Sequence, residues 1–90
     1  MDEIKLGQRQ AKGAQASELL NSELLKETFE VLETEYLNAW RRSAEKNADA
    51  RERLWTAVRV LDHVRAHLTK LIVNGKIASK DLADIKYLKR

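Results

Sequence analysis

The chain has no proline, no cysteine and only three glycines in 90 residues, and each shortage excludes something. Without proline and with little glycine there are few residues that stop regular structure, so a few long helices are favoured over many short strands. Without cysteine there is neither a disulfide framework nor a thiolate metal site, which suits a reducing compartment. No apolar run approaches the roughly 18 residues of a membrane span, and the start, Met1-Asp2-Glu3-Ile4-Lys5, lacks the basic-then-apolar order of a secretory signal. A soluble, cytoplasmic protein without membrane partners is the expectation.

What the chain does contain points to an all-α fold. It is 43% hydrophobic and 34% charged, with Ala, Leu, Glu, Lys and Arg dominant, and it is long enough for one domain only. From Asn21 or Ser22, both suitable N-caps, Leu25, Phe29, Leu32, Tyr36 and Ala39 recur at alternating gaps of four and three. Leu24, Val31, Leu37 and Trp40 widen that stripe, and Arg41 and Arg42 close the helix at the negative end of its dipole. Residues 43–49 form a polar turn, and Asp49 with Glu52 resembles a capping box. A second long helix then carries Leu54, Val58, Leu61, Val64, Leu68, Leu71 and Ile72 as far as Val73. Asn74-Gly75 reads as its left-handed stop, after which Ser79 caps a short basic helix with Leu82, Ile85 and Leu88.

These signals predict an antiparallel hairpin of two long amphipathic helices with short terminal helices. Its segments are a flexible or weakly helical 1–16 (with a short helix near 8–20), a hairpin over 17–75, and a short basic helix over 76–90. The predicted helix–helix core is Leu25, Phe29, Leu32, Tyr36, Leu54, Val58, Leu61 and Leu68. Each long helix carries more apolar face than one seam uses, and thin cores of this size need extra burial, so a homo-oligomer is expected.

Charge is unevenly spread. Residues 22–40 hold five glutamates against Lys26 alone, a balance of −4, while residues 41–90 balance to +7 and the whole chain to +3. Two helices of complementary charge lying side by side account for this, and so does a nucleic-acid face. Lys76, Lys80, Lys86, Lys89 and Arg90 are the candidate phosphate contacts. Trp40 and Trp55 flank the turn, with Arg41, Arg42, Arg51 and Arg53 around them. That group is a packed aromatic plug or, since Trp with Arg is typical of interface anchors, a partner-binding patch.

Chemistry is poorly represented. His63 and His67 project from one helical face at half of a zinc-site spacing, but there is no third histidine and no HExxH motif. No Gly-rich phosphate loop, nucleophile motif or enclosed carboxylate pair is evident, so no enzyme, metal or cofactor is expected.

The run Leu19-Leu20-Asn21-Ser22-Glu23-Leu24-Leu25, followed by Phe29, Tyr36 and Trp40, is similar to a pattern in small helical phage proteins of head-assembly and DNA-packaging gene clusters. Arg51-Glu52-Arg53-Leu54-Trp55, then Leu61, Leu68 and Asn74-Gly75-Lys76, continue it, so the likeness spans residues 17–76. It implies a structural or accessory part in virion assembly, in the host cytoplasm or on the particle, with other phage assembly proteins as partners. An inhibitor of a host protein is the other role open to a chain of this kind.

Overall fold

A computed structural model describes residues 2–88, and among them the chain is all-helical, with three helices and no strand. Helix α1 spans Glu3–Leu20, α2 spans Glu23–Arg42 and α3 spans Ala48–Leu88. Lys89 and Arg90, two of the candidate phosphate contacts, lie outside the described residues.

Local chemistry sets most of the helix ends. The Asp2 side chain accepts from the Ile4 amide at 2.9 Å, so α1 begins at once rather than near residue 8, and no weakly structured segment precedes it among the described residues. Of the two expected caps, Asn21 and Ser22, it is Ser22 that caps α2, its hydroxyl accepting from the Leu25 amide at 3.3 Å. The cap of α3 is Asn47, whose side-chain oxygen takes the Ala50 amide at 3.2 Å. Asp49, the expected cap, is already inside the helix, because Asn47 offers the same kind of acceptor two residues earlier and closes the turn from Ala44.

The largest departure is at Asn74-Gly75. Here α3 does not stop but runs 41 residues without a break, and no described residue has positive φ. Ser79 is accordingly a mid-helix residue and caps nothing. Gly75 serves a close approach instead of a turn. A Cβ on Gly13 would stand 2.8 Å from the Gly75 Cα and 2.9 Å from the Leu71 carbonyl oxygen, and one on Gly75 would stand 2.9 Å from the Gly13 Cα. Only residues without a side chain let two helix backbones meet so closely.

Helices α1 and α2 each pack on α3 and barely touch one another. Gly13 meets Gly75 while Leu20 lies beside Thr69. Further along, Phe29 meets Arg65 and Trp40 meets Arg51. Positions rising through α1 and α2 therefore meet positions falling through α3. The molecule is a rod, 68 × 25 × 14 Å, in which α3 is the spine and at any level has one companion helix.

Burial is correspondingly thin. Leu6, Ala16, Phe29, Leu61 and Ala78 are the buried hydrophobic residues among those described. Of the predicted core, Phe29 and Leu61 are buried, whereas Leu25, Leu32, Tyr36, Leu54, Val58 and Leu68 are half-buried. The α1 seam of Leu6, Gly13 and Ala16 against Gly75 and Ala78 was not anticipated, because small residues carry little hydropathy signal.

Two glycine substitutions test this seam in opposite directions. Gly13→Ala puts a methyl into the backbone of α3 and is expected to lower stability by about 1–3 kcal/mol, as overpacking does. Gly7 has nothing within 4 Å of its added Cβ, so Gly7→Ala is expected to raise stability by about 0.5–1 kcal/mol. Thermal melts followed by circular dichroism read both, and a Gly13→Ala melt above the native one would show that the backbones are not in contact.

Candidate interaction surface

Two arginines of α3 hold α2 in place. Arg51 and Arg65 are fourteen residues apart, which returns a helical side chain to nearly the same face. Arg51 lies over the Trp40 ring, 4.0 Å from its centroid, and its Nη1 donates to the Trp40 carbonyl at 3.2 Å, the Ser43 carbonyl at 3.3 Å and Ser43 Oγ at 3.0 Å. Ser43 Oγ donates in turn to the Trp40 carbonyl at 2.6 Å. The end of α2 carries its negative dipole end, and the Trp40 carbonyl there already takes the Ser43 amide at 3.2 Å; the guanidinium from the next helix adds its charge at this end and also supplies a donor to the Ser43 carbonyl. Arg65 repeats the arrangement further along: it lies 4.8 Å from the Phe29 ring centroid and reaches Glu33 at 3.3 Å and Asp62 at 3.5 Å.

The expected acid-against-base pairing of the two helices is thus narrow. Glu33–Arg65 is the one ion pair between α2 and α3 among the described residues. Glu27, Glu30 and Glu35 are exposed, and Glu23 reaches only Lys26, at 3.8 Å within its own helix.

Trp40 and Trp55 lie at the same end of the rod, by the turn. With Leu37, Leu54 and Val58 they line an open notch of about 100 Å³, and Trp55 remains 55% exposed. Of the four arginines expected around them, Arg51 is half-buried in the latch just described, while Arg41, Arg42 and Arg53 are exposed. The group is therefore partly a plug and partly open surface. Arg51's place in it had no signal beyond its neighbourhood, since a contact to a backbone carbonyl leaves no trace in spacing.

The basic positions of the C-terminal half do not share one face. Lys76 and Lys80 are one turn apart, and Lys86 sits about 120° around the helix from Lys80 at 3.6 residues per turn. All three are exposed. His63 and His67 are exposed too, and no group of three or more His, Cys, Asp or Glu among the described residues is placed to hold a metal ion. No helix among the described residues is long and apolar enough to cross a membrane.

Apolar side chains are spread along the rest of the rod. Leu24, Val31, Val60, Val64, Val73 and Ile77 are between 43% and 72% exposed. Comparison with family models, curated proteins and solved structures returned no match for this chain.

The Arg51 latch makes a direct prediction. Arg51→Ala is expected to cost about 1–2 kcal/mol, from charged hydrogen bonds and a cation–π contact on a half-buried group. Arg51→Lys keeps the charge but loses the planar stacking group, and is expected to recover less than half of that. Urea titration followed by tryptophan fluorescence measures both; equal midpoints for Ala, Lys and native chains would show that the latch contributes nothing.

Proposed function

We propose that this chain is a non-enzymatic assembly component acting through helix–helix self-association. In this reading it is an antiparallel hairpin in which α1 and α2 form one interrupted arm and α3 the other. The observation that carries the reading is the balance of apolar surface. Among the described residues thirteen large hydrophobic side chains are exposed, against five buried hydrophobic residues. Monomeric soluble proteins rarely leave large contiguous apolar areas open, and such areas mark association sites. The likeness to small phage proteins supplies a setting, in which the rod is an accessory of virion assembly or DNA packaging. The reading assigns the chain no catalytic step.

Sedimentation velocity at tens of micromolar tests it. A particle of two or more chains is expected, and a clean monomer across that range overturns the proposal.

Exposure of Lys76, Lys80 and Lys86 favours a second reading, a nucleic-acid-binding subunit. It has less behind it, since Arg51 and Arg65 are engaged within the chain and the lysines do not share one face. Labelled duplex titrated at two salt concentrations decides: phosphate contacts bind most tightly at low salt, so no binding there removes this reading.

A further inference from the structure

We infer that the rod pairs face to face with a second copy of itself, about a two-fold axis running along its length, so that α2 of each chain lies over α3 of the other. The inference rests on the self-association reading and adds which face is covered, by what, and in which direction.

Area argues for a second copy as the occupant. The accessible surface is 7305 Å². A compact monomer of 10.4 kDa exposes about 5,400 Å² by the usual mass scaling, which leaves an excess of about 1,900 Å² per chain. A standard interface buries only about 800 Å² per partner, and obligate homodimers bury more. The excess is large enough to supply the interface of an obligate, extended dimer.

The face follows from helical geometry. At about 100° per residue, Glu33 and Leu37 fall on one side of the buried Phe29, and Val58 and Arg65 fall on the same side of the buried Leu61. The ion pair Glu33–Arg65 and the notch shared by Leu37 and Val58 put these two sides on one face of the pair. Leu24, Thr28 and Leu32 turn to the opposite side of Phe29, and Val60 and Val64 to the opposite side of Leu61, so the other face has an apolar strip with no ion pair among the described residues, flanked by Glu35, Arg53 and His67. On it Leu24 is 72% exposed, Val60 54% and Val64 43%.

Charge chooses the direction. Face-to-face stacking allows a two-fold axis along the rod, which sets α2 over α3 of the other copy, or across it, which sets α2 over α2. The second option opposes the acidic 22–40 segment, with its balance of −4, to itself. The first lays that segment over residues 51–71 of α3, which hold five Lys/Arg against two acids. Like charges placed across an interface are costly, so the axis runs along the rod. Every neighbouring helix pair in the resulting four-helix cross-section is antiparallel, the arrangement such bundles favour.

Register makes this testable. The meetings of Phe29 with Arg65, Leu37 with Val58 and Trp40 with Arg51 place Thr28 level with the α3 turn that bears Val64. Rotation about the long axis preserves height, so Thr28 of one copy faces Val64 of the other. The chain has no cysteine, so Thr28→Cys and Val64→Cys each carry a single thiol at an exposed position. After mixing and mild oxidation, the Thr28→Cys/Val64→Cys heterodimer is expected to exceed either self-linked product severalfold. Predominant Thr28→Cys self-linkage means α2 lies on α2 and overturns the inference. A dimer by sedimentation with neither linkage also overturns it while leaving self-association standing, and a monomer removes both. Val64→Asp supplies an independent check: unchanged helical circular dichroism with a shift to the monomer's sedimentation coefficient is expected, and a particle that stays assembled contradicts the assigned face.

Discussion

Each level of α3 has one companion helix, α1 over its C-terminal half and α2 over its N-terminal half, and nearly everything else about the molecule follows from that constraint. A helix pair has a single seam. Side chains more than about a quarter-turn from it have nothing to pack against, however apolar they are. This is why so long a helix has only Leu61, Gly75 and Ala78 in the buried class, and why residues as large as Leu24, Trp55 and Ile77 stand in solvent. A domain usually stacks two layers around a core, and this chain supplies only one.

The two halves of the seam solve the packing problem in different ways. Over the C-terminal half, small residues bring backbone against backbone, so dispersion contacts come from close approach and not from side-chain volume. Over the N-terminal half the seam residues are large, with Phe29 and Leu61 buried, Leu54 and Tyr36 half-buried, and arginines laid across the Phe29 and Trp40 rings. Arg51 and Arg65 thus do structural work that their positive charge alone would not suggest. Their engagement also reduces the basic surface from which a nucleic-acid function would be built.

Much of this was legible in the sequence where the signal is periodic hydropathy. The all-helical class, a start of α2 at Asn21 or Ser22, the turn before α3 and the placing of Trp40 and Trp55 at one end all follow from spacing and capping chemistry. What could not be read was carried by residues whose signal is ambiguous. Asn-Gly is the commonest sign of a helix stop, and nothing local separates a glycine that turns the chain from one that admits another backbone. The distinction lies in Gly13, 62 residues earlier, and only the fold brings the two together. The same blindness hid α1: Leu6, Gly13 and Ala16 form a weak stripe whose burial depends on equally small partners on α3. The expected divisions after residues 16 and 75 accordingly fall inside continuous helices.

The break at Asn21–Ser22 links these two packing modes. A single straight helix that runs close to α3 at Gly13 could stand off from it at Phe29 only by diverging, and would then lose the contacts that continue to Trp40. Helices bend sharply only where their hydrogen-bond ladder is interrupted. Here it is interrupted by capping: the Asn21 and Ser22 amides bond back to the Ser17 and Leu19 carbonyls, and the Ser22 hydroxyl opens the next helix at Leu25. The interruption lets one arm follow α3 at two separations without leaving its own polar groups unmet. It also divides the rod into a tight half, where the seam is mostly backbone, and a wider half whose large side chains reach beyond the seam. The apolar face of Leu24, Val60 and Val64 belongs to the wider half, so the step that accommodates the glycine contact also prepares the surface a second layer would cover.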